Sequence, residues 1–206
     1  MAILKRRLFT NSIRAKVYVM NTNNYLSNNF LIAMPGMQGD DFSKSVTYLC
    51  QHDGEGALGI VINKPHTMTM SVIFNQLSIK AVSPEVAEIP LFMGGPVQPE
   101  RGFVLHTPVG NWDSTLQVND DFALTSSKDI LEAIAEDKGP EKWLVALGYA
   151  GWGAGQLEKE IQRNSWLHGQ AEQHIIFDEP VAQRWELAAH RIGVDIAVMS
   201  SDSGHC

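Results

Sequence analysis

The strongest constraint on this chain is a recurring unit in which a short apolar run is cut off by glycine or proline. Residues 30–34 end at Pro35-Gly36, residues 91–93 run into Gly94-Gly95-Pro96, and residues 143–149 lead to Gly151, Gly153 and Gly155. Runs this short read as strands with little exposed face, and the glycines that follow supply the turns. Further strands are expected at 57–63, 102–106, 122–125, 175–177 and 195–199. The Gly94-Gly95-Pro96 turn is expected to join its two strands as a hairpin.

Helical periodicity appears between these runs. Phe42, Val46, Leu49 and Cys50 fall at i, i+4, i+7 and i+8, which predicts a helix capped by Asp40 or Asp41 with Cys50 near its C-terminal end. Ile130, Leu131 and Ile134 predict a second, with Ser126 and Asp129 as its capping box. Leu157 and Ile161 mark a third, at 156–163. Val181, Trp185, Ala188 and Ile192 mark a fourth, closed by Gly193. Strands interleaved with helices, without a linker or repeat, predict one compact α/β domain with a sheet of mixed direction.

Charge separates the start of the chain from the rest. Lys5, Arg6, Arg7, Arg14 and Lys16 precede the first acid, Asp40; after residue 20 there are 11 basic residues against 23 acidic, a net charge of −12. A body this acidic repels phosphate backbones, so direct nucleic-acid binding is not expected. The apolar residues near the start are broken up by arginine and polar side chains, unlike a secretory signal. Residues 1–20 are therefore expected to be a basic extension, flexible or artefactual, ahead of a domain over 21–206, with Met20 a sensible alternative start. No apolar run is long enough for a membrane helix. The two cysteines, Cys50 and Cys206, fit a reducing cytoplasm.

No local motif of a well-marked enzyme class is present: no phosphate-binding P-loop, nucleophile elbow, zinc-protease helix or paired Cys-x-x-Cys. Three weaker candidates remain. The run Gly148, Gly151, Gly153, Gly155 joins a strand to a helix, where backbone amides can cradle an anion. Gln156 stands where a dinucleotide fingerprint needs its third glycine, and Glu158 and Glu160 satisfy the helix dipole themselves, so tight turning beneath Trp152 is the preferred reading. Cys50 with His52 could form a reactive thiolate pair, although an inert core thiol suits its apolar register better. The histidines lack the spacing of a metal site, His205-Cys206 included, and no cofactor is expected. Trp112, Trp143, Trp152, Trp166 and Trp185 are expected to be core or lid material.

Taken in order, several blocks resemble the AlgH/YqgE family of bacterial proteins. They are Phe30-Leu-Ile-Ala-Met-Pro35, Asp40 with Phe42 and Ser45-Val46, Gly56-Ala57 with Gly59, Asn63 and Pro65, Gly94-Gly-Pro-Val97, Arg101-Gly-Phe-Val-Leu-His106, Leu147-Gly-Tyr-Ala-Gly-Trp152, Gln156-Leu-Glu158, Asn164-Ser-Trp166 and Arg184-Trp185. The resemblance implies an α/β domain in which a small β-barrel is continued by a split sheet and surrounded by helices. It also implies a bacterial cytosolic protein, with a transcriptional-regulator label on one branch and no agreed catalytic residues. The leading expectation is a non-enzymatic regulatory or binding protein acting through a protein partner or small ligand, with Asn63, His106, Gly148, Gly151, Trp152 and Gly153 as ligand-binding candidates. The rival is a redox-sensing or hydrolytic enzyme with its site near Cys50, His52 and the Gly148–Gly155 loop.

Overall fold

The computed structural model describes residues 25–37, 39, 41–196 and 199. It contains strands β1 (Asn29–Ala33), β2 (Val46–Asp53), β3 (Gly56–Val61), β4 (Pro65–Thr69), β5 (Pro90–Met93), β6 (Val97–Thr107), β7 (Thr115–Gln117), β8 (Ala123–Thr125), β9 (Lys142–Gly153) and β10 (Trp166–Gln170). The helices are α1 (Met70–Leu77), α2 (Pro84–Ala87), α3 (Lys128–Ala135), α4 (Gln156–Gln162), α5 (Gln173–Phe177) and α6 (Arg184–Arg191), the last preceded by a 3-10 turn at Val181–Gln183.

The strands form one curled, half-barrel sheet in the order β10-β1-β2-β3-β9-β6-β8-β7, with β5 and β4 branching from β9. The pairs are antiparallel except β5 with β9, so the sheet is mixed as expected. β9 organises the molecule. Its N-terminal half lies between β5 and β6, since Ala146 faces Phe92 on one side and Phe103 on the other. Its C-terminal half, Ala150 to Gly153, pairs with Gly59 to Gly56 of β3. One face of the sheet buries Tyr48, Cys50, Ile60, Phe103 and Leu105 beneath α5 and α6. A second core packs α1 and α3 on Val104, Val145 and Leu147, and a third packs Leu31, Leu49, Trp152, Leu157 and Trp166 under α4.

Five sequence expectations are corrected. Residues 46–50 belong to β2, not to a helix: the strand is buried on both faces, so apolar residues stand at consecutive positions and imitate a helical register. β-branched Val46 and Thr47 and aromatic Tyr48 suit the pleat. Asp40 lies outside the described residues. Residues 173–177 form α5, whose Ile175 and Ile176 both enter the main core, and a run this short does not separate helix from strand. Of the expected strand at 195–199, the described Ile196 and Met199 are helical. β5 and β6 are not a hairpin, because β9, about 50 residues later in the chain, inserts between them. The cap of α3 is Ser127 rather than Ser126. The helices at 128–135 and 156–162 and the one ending before Gly193 stand where periodicity put them.

Candidate functional site

The glycine run divides in two. Gly148 has φ +70°, and a Cβ there would stand 2.3 Å from the Gly95 carbonyl oxygen; one on Gly94 would stand 2.3 Å from the Gly148 oxygen, and one on Gly95 2.2 Å from the Tyr149 carbonyl carbon. Two backbones cross here at a distance that only glycine permits. The Gly-Gly-Pro-Val and Leu-Gly-Tyr-Ala-Gly-Trp blocks are thus the two sides of one crossing, which leaves no room for a ligand. Gly151 and Gly153 are exposed, and only the tip of Gln156, 3.9 Å away, lies near the Cβ position of Gly153.

Those glycines do not cradle an anion. The Gly153 N–H donates to Gln156 Oε1 at 3.1 Å, and Glu158 occupies the first turn of the short α4. What stands beside them is an aromatic groove. Trp152 on β9, Trp166 at the start of β10 and Phe42 in the turn before β2 meet, two pairs nearly perpendicular and one tilted: ring centroids are 6.0 Å apart at 78° for the two indoles, 5.5 Å at 83° for Phe42 with Trp166, and 6.4 Å at 36° for Phe42 with Trp152. Both indole N–H groups donate to one oxygen, Glu160 Oε2, at 2.8 and 2.9 Å. Gln156 Nε2 donates to the other oxygen at 2.9 Å. These three bonds to the carboxylate fix the rings. The groove holds about 470 Å³ and is completed by Met37, Pro96, Gly151 and Ser165.

Sequence reasoning gave Glu160 to the helix dipole and the tryptophans to the core, and so missed the pairing. A signal existed: with Leu157 and Ile161 facing inward, Gln156 and Glu160 share the flank of α4 four residues apart. A second groove of about 400 Å³ meets the first at Gly151 and Trp152 and is lined also by Gln51, Asp53, Glu55, Val97 and Tyr149.

Cys50 and His52 are not brought together. The β2–β3 register slips between Leu49 and Gln51, a bulge at Cys50. A bulge changes the phase of side-chain alternation, so Cys50 joins the core with Tyr48 while His52 turns toward α4. There its Nε2 donates to Glu158 Oε1 at 3.0 Å, and its Nδ1 accepts the Leu26 N–H at 3.0 Å. The Glu158 carboxyl is held below its ordinary range by its own backbone N–H and by His52. Cys50 is a buried free thiol whose pKa burial pushes far up; the cause is desolvation in a strand rather than a helix end.

Asn63 and His106 are also tied into the fold. Asn63 Oδ1 accepts the Val46 N–H and its Nδ2 donates to the Lys44 carbonyl, both at 2.8 Å, which clamps the turn at Lys44, φ +53°. It lines a groove of about 330 Å³ with Lys44, Trp185 and Glu186, away from the other candidates. His106 is fully buried, facing the Pro108 carbonyl through Nδ1 at 3.1 Å and the Thr125 hydroxyl through Nε2 at 2.8 Å. A carbonyl only accepts, so Nδ1 carries the hydrogen and Nε2 accepts from Thr125. Of the ligand-binding candidates, then, Gly151 and Trp152 line the aromatic groove, Gly153 is tied to Gln156 beside it, Gly148 lies in the crossing, and Asn63 and His106 lie elsewhere. Among the described residues no His, Cys, Asp and Glu side chains form a metal-ligand cluster, and no helix is long and apolar enough to cross a membrane. His205 and Cys206 lie outside the described residues.

Comparison with known proteins bears on the family and the fold. An AlgH-like family model (DUF179) matches residues 30–197. This chain belongs to the AlgH-like family. A UPF0301 protein of Nitrosococcus oceani is 48% identical over 90% of this chain and 100% of its own length. One of Methylococcus capsulatus is 51% identical over 88% of this chain and 96% of its own. The solution structure of the AlgH protein from Pseudomonas aeruginosa superposes with a TM-score of 0.74 at 43% identity, covering 92% of this chain and all of that one. A crystal structure from Corynebacterium diphtheriae, 19% identical with a TM-score of 0.66 over 88% and 94% of the two chains, shares the fold. The AlgH-like matches span both blocks of the glycine crossing and the whole of the Trp152 groove, because residues 30–197 include every side chain that builds them.

Proposed function

We propose that this AlgH-like chain works by binding: a cytoplasmic regulatory protein that acts through a protein partner or small ligand, without touching nucleic acid itself, with the groove over Trp152 as its recognition surface. One observation carries the reading. Two indole N–H groups converge on a single carboxylate oxygen of Glu160, so a concave aromatic wall is held rigid before any ligand arrives, and a preorganised surface loses little entropy on binding. The separation of the Cys50 thiol from His52 supports binding over a thiol-based reaction, and the acidic body supports a partner other than DNA.

The test follows the indole N–H signals of Trp152 and Trp166 in 15N-labelled protein during a screen of metabolites and peptides. Ligands that move both signals while leaving Trp185 in place are expected. Ligands that bind but perturb only the Asn63 or His106 surroundings would displace this groove from the proposal. In the Cys206→Ser variant, iodoacetamide should label the native protein slowly at neutral pH; rapid labelling with a midpoint below about pH 7 would favour the enzyme reading instead.

A further inference from the structure

We propose that His52 is a proton-operated clasp: its neutral ring ties the segment entering β1 to α4, and protonation releases Leu26 while keeping Glu158. The inference concerns the approach of the chain to its first strand and is independent of the binding reading above.

The ring is held from two sides by bonds of opposite sense. A backbone N–H can only donate, so Nδ1, 3.0 Å from the Leu26 nitrogen, presents its lone pair there. The one ring hydrogen of the neutral form therefore sits on Nε2, which donates to Glu158 Oε1 at 3.0 Å. An imidazolium donates from both nitrogens. Its second hydrogen would stand on Nδ1 and point at the Leu26 N–H, so the cation and the Leu26 bond exclude each other. At an exposed histidine water would accept that hydrogen in place. The His52 side chain is 3% exposed, and its Nδ1 reaches an acceptor only when Leu26 draws away.

The other side of the ring favours the change. Glu158 keeps its carboxyl below the ordinary range, chiefly through its own backbone N–H, so it stays charged where histidines titrate. Its bond from Nε2–H then becomes an ion pair, and a neutral bond to the backbone is exchanged for a charged one to α4. The remaining neighbours do not compete for the proton. Tyr25 meets the ring at 64° with centroids 5.3 Å apart, β3 presents Ala57 opposite, and Gln51 and Asp53, which flank His52 on β2, bond each other at 2.7 Å.

The opening is confined to the entry. The His52 backbone N–H donates to Ser27 Oγ and the Asn28 N–H to the Leu49 carbonyl, both at 2.9 Å, and neither bond involves the ring. Movement thus begins ahead of Ser27. It lifts Leu26 from the layer it shares with Leu49, Trp152 and Leu157 and leaves β1 paired with β2 and β10.

The experiment is NMR on the full chain labelled with 13C and 15N, between about pH 8 and pH 5. At the upper end a coupling across the hydrogen bond should join the Leu26 amide nitrogen to His52 Nδ1. On acidification Nδ1 should take up a hydrogen, that coupling should vanish, and the Leu26 amide should move upfield with the same midpoint as the ring. Its protection from hydrogen exchange, corrected for the intrinsic rate at each pH, should fall about ten-fold. The Asn28 and Ile60 amides should hold their protection, marking a folded domain. In Glu158→Gln, which keeps an acceptor for Nε2–H and removes the charge, the midpoint should move to lower pH. A ring that protonates while Leu26 keeps its coupling and protection would overturn the clasp, as would a ring still neutral at pH 5 or a midpoint unmoved by Glu158→Gln. The first two outcomes are read on the unmodified chain and decide the matter even if the variant fails to fold.

Discussion

The two halves of β9 carry the same residue type for opposite purposes. In the first half, Gly148 meets Gly94 and Gly95 so closely that a methyl group would enter a neighbouring backbone, and strands close both edges. In the second, Gly151 and Gly153 are exposed, one edge is open among the described strands, and the nearest packed layer is aromatic. Glycine in the closed half is a condition of folding; in the open half it leaves a surface bare. Spacing along the chain does not distinguish these uses. What distinguishes them is which backbone arrives opposite, and that is decided by the Gly94-Gly95-Pro96 loop about 50 residues earlier.

The largest effect should come from filling the closed half. Gly148→Ala forces a side chain onto a positive-φ position 2.3 Å from the Gly95 oxygen, and Gly94→Ala meets the same crossing from the other side. Each should cost on the order of 3 kcal/mol or more, a fall in Tm near 10 °C for a domain of this size, or loss of soluble protein. Calorimetry showing a change under about 2 °C would mean that the crossing relaxes easily and that the halves are alike.

Next comes Glu160→Ala in the open half. It strips the acceptor from two indole N–H groups of largely buried rings, Trp152 at 7% and Trp166 at 4% exposure. An unmet donor costs about 1–3 kcal/mol, and the groove lets water repay part of that, so a loss near 2 kcal/mol in urea unfolding is expected. Tryptophan emission should shift to the red as the rings loosen. A loss as large as that of Gly148→Ala would make Glu160 a folding residue first and erase the contrast between the halves.

The contrast also explains what was legible in the sequence. The apolar run and glycines of β9 and the stripe of α4 could be read locally, as could the family resemblance, because each lies within a dozen or so residues. β2 could not, since burial on both faces removed the alternation that marks a strand. The hairpin expected at Gly94-Gly95-Pro96 failed because β9 enters between its arms from far along the chain. The groove was half legible: Trp152 was marked, but Glu160 gained its role only when β10 carried Trp166 to the same oxygen.

His106 tests the closed half more gently. It lies opposite Trp143, where β9 begins, and burial lowers its pKa while the Pro108 contact opposes the shift. The folded protein therefore binds this proton less readily than the unfolded chain, whose histidine titrates near 6.5. Between the two values the unfolded state holds more protons, so stability should decline as pH falls below about 6.5 and level off once the folded value is passed. His106→Gln should flatten that part of a urea-midpoint profile against pH. A profile just as steep in the variant would assign the titration to another group.

The smallest effect should be Gly153→Ala. Its φ lies outside the left-handed range, its Cβ position meets only the flexible end of Gln156 at 3.9 Å, and its N–H already has that side chain as acceptor. Nothing in the native state opposes a methyl group, and alanine narrows the unfolded ensemble. Stability should hold within about 0.5 kcal/mol or rise slightly. If the variant instead loses as much as Gly148→Ala, the open edge must be packed against something in solution, and the bare surface between Gly151 and Gly153 would belong to the fold rather than to a partner.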